Sequence, residues 1–311
     1  MRIDSMTYLN TSLPGIQNNQ SAIARLNQQI GTGLSMLNAK DDPVTATKAL
    51  ELGNRVALRT QYAANQDKLE LDLKYQNVVT KEMDSALNRA RGLLTSISPS
   101  HTASLRNVHA EQLKTVFNHL LSLANTRDPA GNYIFAGFET ATQPYANSSA
   151  ATIPATVQPT TYNGTPVPGG LRNIEVENGR YIQANDNLDQ VFKAGVVGSD
   201  LLQELGDAIV NLQTGGTITE ADLDGYVALL DSAVYDLGLI QHRAAGALTE
   251  IKDLRASTEA LMLAEKNMLS DITQVDKAAA IVELQSRQTS LEAISRAYSI
   301  TSGLSLFNYL S

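Results

Sequence analysis

Apolar residues recur at a fixed interval of seven along the first forty positions of the chain: Leu9, Ile16, Ile23, Ile30 and Leu37. That spacing keeps one line of a helix apolar and marks a coiled-coil seam. The companion positions Met6, Leu13, Gln20, Asn27 and Leu34 are apolar at the ends and amide in the middle, which favours a seam with a defined partner and register. Gly31 and Gly33 suit the end of this helix. Asp41 and Asp42 ahead of Pro43 then read as an acidic N-cap with proline in the first helical turn, predicting a new start. From there Leu69, Leu73, Met83, Leu87, Leu94 and Ile97 form one stripe that continues to Pro99. A helix of about 55 residues and roughly 80 Å is predicted. Leu105, Val108, Val116, Leu120 and Leu123 carry a third helical pattern to about Arg127, predicting an antiparallel pair around the Pro99 turn.

The pattern changes after Asp128. Between Thr140 and Asn187 lie most of the prolines and many Thr, Ser and Asn residues, with little helical period, so an inserted β-rich unit is expected. Ile174, Val176, Tyr181 and Ile182 flank Asn178-Gly179, a dipeptide favoured in tight hairpins; Tyr162 to Gly164 offers another turn. Tyr133 to Phe138 reads as a further short hairpin. Helical spacing returns at Ser199, breaks at Gly215-Gly216 and then runs from about Glu220 nearly to the end. Leu254, Leu261, Met268, Val275 and Val282 repeat every seven residues, with Ile251, Ile272, Ala279, Ala293, Ile300 and Phe307 as the adjacent stripe. Both chain ends thus carry heptads. A long helix cannot bury its stripe alone, so the C-terminal helix is expected to pack on those of the first half. The predicted fold is mainly α, an elongated helical bundle or coiled-coil rod formed by both ends, with a small inserted β-rich domain. Residues 1–42 and 270–311 are expected to be terminal coiled-coil assembly segments, 43–139 and 197–269 the helical rod domain, and 140–196 the insert.

Composition supports thin packing. Trp is absent and only 5% of the 311 residues are aromatic, which removes the side chains that fill thick cores. A formal charge of -8 opposes a phosphate-binding surface, so no nucleic acid is expected. The absence of cysteine excludes disulfides, thiolate metal sites and cysteine nucleophiles. Met1 to Leu13 lacks the basic-then-apolar order of a cleavable signal, and no stretch approaches the roughly 20 apolar residues of a membrane span. Alone, these features describe a soluble cytoplasmic chain with no membrane insertion.

Candidate chemistry is sparse. His101, His109, His119 and His242 fall on three predicted elements, and ten helical residues hold His109 about 15 Å from His119, too far for one ion. Phosphate-cradling glycine loops and the Gly-x-Ser-x-Gly elbow are missing. Asp41 and Asp42 are a carboxylate pair, but their place before Pro43 favours capping over cation binding or acid-base work. Arg55 and Arg59, one turn apart, read as a solvated face. No cofactor, metal or catalytic residue is assigned, and an enzyme or regulator on a helical bundle is the weaker of two classes. The stronger is a structural protein that assembles through its ends, because Leu9 to Ile30 and Ile294 to Phe307 extend past the helices that would cover them. The expected assembly interface is Leu9, Ile16, Ile23, Ile30, Leu37, Val275, Val282, Ile294, Ile300, Leu304 and Phe307.

The string from Asn19 to Leu50, NQSAIARLNQQIGTGLSMLNAKDDPVTATKAL, resembles the N-terminal core of the flagellin superfamily. Met1-Arg2-Ile3, the Asp41-Asp42-Pro43 step, the segment Gly131-Asn132-Tyr133-Ile134-Phe135-Ala136-Gly137-Phe138 and the ending Gly303-Leu304-Ser305-Leu306-Phe307 are closer to its hook-associated members than to flagellin. Gly33-Leu34-Ser35 reads more like flagellin, so a filament subunit stays open as an alternative, ahead of a non-flagellar helical bundle. The resemblance implies a structural role where hook meets filament. It implies a ring of subunits seated on a preceding hook-associated protein, with flagellin above and an export chaperone as a further partner. It also implies secretion through the flagellar type III apparatus without a cleaved signal, which replaces the cytoplasmic reading.

Overall fold

The computed structural model describes residues 2–145, 162–166, 169–193, 200–215 and 218–310, with side chains described except at residues 2–12, 298 and 301–310. Among the described residues the fold is mainly α, with one small two-stranded sheet. Helix α1 spans Arg2–Thr32, α2 Pro43–Thr95 and α3 Ala103–Ala124; strands β1, Asn173–Glu177, and β2, Arg180–Gln183, follow. Then come α4, Asp189–Lys193; α5, Leu201–Thr214; α6, Glu220–Thr273; and α7, Lys277–Leu310. Contacts divide the chain into two compact units, one of residues 1–59 and 260–311 and the other of Thr60–Glu259, so the boundary falls inside α2 and α6.

The Thr60–Glu259 unit has the larger core. The α2 stripe that the spacing predicts is the buried one: Leu69, Leu73, Met83, Leu87 and Leu94 are closed to solvent, and Ile97 is buried just past the helix end. Met83, Leu87, Leu94 and Ile97 share a core with Leu113, Val116, Phe117 and Leu120 of α3, Leu202, Leu205 and Ile209 of α5, and Leu230 and Leu237 of α6. Leu105 and Val108, expected on the same α3 stripe, are exposed. They precede Ala110, where the buried face of α3 begins.

Where α3 ends, the insert takes over as cover. Val176 and Ile182, one from each strand, pack on Leu69 and Leu73 of α2 and on Ala244, Ile251 and Leu254 of α6. The strands are antiparallel around Asn178-Gly179, with Gly179 at φ 72°, where glycine carries no Cβ penalty. Gln66, wholly buried, donates through Nε2 to the Val176 carbonyl at 2.8 Å and to Thr258 Oγ1 at 3.1 Å, fixing the hairpin to α2 and α6 together. The hairpin therefore packs directly on the two helices and shares a small core with them. The segment Tyr133 to Phe138 forms turns and an isolated bridge between Arg127 and Tyr133 in place of the expected hairpin. Its Phe135 is fully buried, and Gly137, at φ 68°, lies where a Cβ would meet the Thr165 carbonyl at 2.9 Å. Tyr162 pairs with Tyr145 in a bridge and donates its hydroxyl to the Phe135 carbonyl at 2.8 Å.

Two buried acids mark the return of the insert to the helices. Asp200 caps α5, its Oδ1 accepting the Leu202 N–H at 3.0 Å. Burial pushes its carboxyl up to about 7, with the charge of Asp189 adding to the effect. Burial also raises Asp186 to about 6, although Arg243 sits 2.8 Å away. An unfolded Asp releases its proton near 3.9, so from about pH 4 to 7 the folded unit holds more protons and acidification favours it. Urea unfolding of the chain and of Asp200→Asn, which keeps a capping oxygen, is expected to show the wild type gaining on the variant as pH falls from 7.5 to 5. A pH-independent difference would contradict the raised affinity for the proton.

Candidate assembly interface

In the unit of residues 1–59 and 260–311, α1 and α7 lie antiparallel. The Gly33 carbonyl accepts the Val275 N–H at 3.0 Å, while further along Arg287 donates to Asn19 Oδ1 at 3.4 Å. The facing line of α7 is Ala280, Leu284, Arg287, Leu291 and Ile294, at the 3-4 spacing of a helix pair. Among the described side chains of α1, Asn19 and Leu26 are the buried ones. Ile16, Ile23 and Ile30 are half-buried on the flank of that line, so the seam is rotated from the heptad toward a register that brings the Asn19 amide onto Arg287. Pro14 lies inside α1, where it has no N–H to give to the preceding turn.

Three helix ends meet in a clasp. At the end of α1, Gly33 sits at φ 75° and its N–H reaches the Gln29 carbonyl at 2.8 Å, a left-handed C-cap. Leu34 then bridges Gln274, and Ser35 donates its N–H and hydroxyl to the Thr273 carbonyl at 2.8 and 3.1 Å. The side chain of Gln29 reaches back to the Ser35 carbonyl. These bonds occupy an interruption at Gln274–Asp276, where α6 stops and Asp276 Oδ1 accepts the Ala279 N–H at 3.0 Å to start α7. The C-terminal helix is thus two helices, against the single one that the heptad through Val275 predicts. Val275 lies in the break, half-buried, and Leu37 lies in the loop between α1 and α2 rather than on the α1 heptad.

Of the acidic pair before Pro43, Asp42 is the residue bonded to the start of α2. Its Oδ1 accepts the N–H groups of Val44 and Thr45 at 3.1 and 3.0 Å, and its Oδ2 accepts the Thr45 hydroxyl at 2.6 Å. That hydroxyl is the main reason its carboxyl is held below the usual range. Asp41 turns the other way, accepting the Asn38 N–H at 3.2 Å and facing Arg25 at 3.7 Å. Arg55 pairs with Glu51 on the surface, whereas Arg59 reaches a largely buried Glu265 on α6 at 2.7 Å and is not a solvated residue.

One line of contact per helix leaves the rest of the apolar surface open. Val282 and Ile300 are 67% and 64% exposed, and Leu261 and Met268 of the same heptad line on α6 are also exposed. The spacing does not single out Val44, Leu50, Leu58 or Leu263, which are exposed as well and lie on no single heptad line. Ile294 is half-buried. The side chains of Leu9, Leu304 and Phe307 lie outside the described residues. Among the described residues no group of three or more His, Cys, Asp or Glu is placed to hold a metal, and no helix is long and apolar enough to cross a membrane. His101 and His109 stack on one another, their centroids 5.6 Å apart.

Residues 4–140 match the bacterial flagellin N-terminal helical region. Flagellar hook-associated protein 3 of Escherichia coli K12 is 25% identical over 332 aligned positions, covering 99% of each chain. The same protein of Salmonella typhimurium is 24% identical with the same coverage. The chain resembles flagellar hook-associated protein 3 from end to end. Its fold is shared with solved structures of low identity. A chain assigned as a flagellar hook-associated protein of Vibrio parahaemolyticus superposes with a TM-score of 0.64 at 19% identity, covering 75% of this chain and all of that one. The flagellar junction protein FlgL of Legionella pneumophila gives 0.52 at 15% identity, covering 65% of this chain and 98% of that one.

Replacing Gly33 by Val forces a β-branched residue into the left-handed region and is expected to cost about 1–3 kcal/mol of local stability. Hydrogen exchange in the full chain should then speed up at Ser35 and Val275 while the Thr60–Glu259 core keeps its protection. Unchanged exchange at both residues would show that the clasp does not depend on the cap.

Proposed function

We propose that this chain is a structural, non-catalytic component of the bacterial flagellum that joins the hook to the filament as a ring of copies. The observation that carries the reading is similarity along the whole length to two proteins named for hook association. The α1–α7 pair supplies a physical reason: its apolar surface exceeds what one chain covers, and copies stacked side by side would complete the cover. In this reading residues 1–42 and 270–311 are the assembly segments, 43–139 and 197–269 the rod, and 140–196 an insert on its side. The partners are a hook-associated protein below, flagellin above and an export chaperone before assembly, with secretion through the flagellar apparatus and no cleaved signal.

The flagellin-type match over residues 4–140 supports one other reading, a filament subunit. Electron microscopy of cells lacking the chain, with a blot of the medium, separates the two. Hooks without filaments and abundant flagellin in the medium are expected; hooks with neither would favour the filament subunit. Attached filaments would overturn both.

Truncation after Ala293 removes Ile294, Ile300, Leu304, Leu306 and Phe307 but nothing from the Thr60–Glu259 core. Burying five such side chains in an assembly is worth on the order of 10 kcal/mol before ordering costs of similar size, so their loss should tip assembly without unfolding the core. The truncated chain should stay helical by circular dichroism, and cells carrying it should shed flagellin. Normal motility would refute the role given to this segment.

A further inference from the structure

Within the Thr60–Glu259 unit, two unlike surfaces lie level with one another. The outward face of α6 presents Tyr235, 68% exposed, and Leu239, 47% exposed, one turn apart. Between α2 and α3 runs a groove of about 500 Å³, floored by Ala86 and Val116 and bordered by Lys81, Arg89 and His119, with Glu82 at its rim. Arg91 meets Asp231 at 2.7 Å and Gln241 donates to the Thr80 carbonyl at 3.2 Å, so residues 80–91 of α2 run beside 231–241 of α6. The groove and the aromatic ridge are therefore at one height along the helices.

Their charges are complementary. From Glu220 to His242, α6 carries Glu220, Asp222, Asp224, Asp231 and Asp236 and neither Lys nor Arg. The groove side offers Lys81 and Arg89, neither of which has an ion-pair partner within 4.0 Å among the described residues; Asp236 has none either. Two different patches on one unit make a heterologous contact, which passes from copy to copy instead of ending at a pair. A ring about an axis along the helices holds every copy at the same height, so such a contact closes only when ridge and groove are level, as they are here.

We propose that Tyr235 and Leu239 of one copy seat in the α2–α3 groove of the next, with Asp236 facing Lys81 and Arg89. The inference rests on the ring reading above and names its lateral surface. Because the chain has no cysteine, Tyr235→Cys on the ridge and Thr115→Cys in the lining of the groove can be introduced alone and together, and flagella isolated from cells carrying only the variant treated with a bis-maleimide. The doubly substituted chain should give a ladder of cross-linked multimers and each single variant none. Asp236→Lys, or Lys81→Glu with Arg89→Glu, should lower the ladder several-fold, and all three together should restore it; Lys81 and Arg89 are exposed, so those changes leave the core intact. Dimers from Tyr235→Cys alone, or no ladder in flagella whose filaments stay attached, would overturn this lateral contact and leave the hook-filament reading standing. Loss of the hook-filament reading itself would appear separately, as attached filaments in cells without the chain.

Discussion

A helix in water is only as stable as the cover given to its apolar stripe, and the rest of this structure follows from how unevenly that cover is shared. In the Thr60–Glu259 unit, α2 and α6 are enclosed by α3 and α5, and beyond the end of α3 by the β hairpin, so nearly every apolar residue of their facing stripes is buried. In the unit formed by the chain ends, α1 and α7 have chiefly each other. Two antiparallel helices bury one line apiece, which here leaves Val282 and Ile300 as exposed as polar surface residues.

The same contrast separates what could be read from the sequence from what could not. The α2 stripe was legible because its buried residues share one face at helical spacing, and the β1–β2 turn because Asn-Gly has a local conformational preference that needs no partner. The break at Gln274–Asp276 was not legible. Val275 continues the heptad, no glycine or proline marks the site, and the interruption is held by Gly33 and Ser35 from the other end of the chain. The rotation of the α1 seam had a similar origin. Ile16, Ile23 and Ile30 give the stronger periodic signal, but the line facing α7 is centred on Leu26 and on Asn19, whose amide finds Arg287. Amide positions within a heptad were a hint of a defined partner; which residue it was depended on tertiary register.

Polar groups in this chain hold position more than they carry chemistry. Gln66 ties the hairpin to two helices, Asp42, Asp200 and Asp276 start helices, and Ser35 with Gln29 closes the clasp. Each bond fixes where an apolar face begins or ends. In the proposed reading, it is these surfaces, with their extent set by those bonds, that would meet other subunits.

The central claim is that the open apolar face of the chain ends is completed by other subunits. Hydroxyl-radical footprinting of Leu263, Met268, Ile281, Val282 and Ile300, in the purified monomer and in isolated flagella, measures that cover residue by residue. Strong labelling of all five in the monomer and marked protection in the flagellum is the predicted result. Equal labelling in the two states would contradict it.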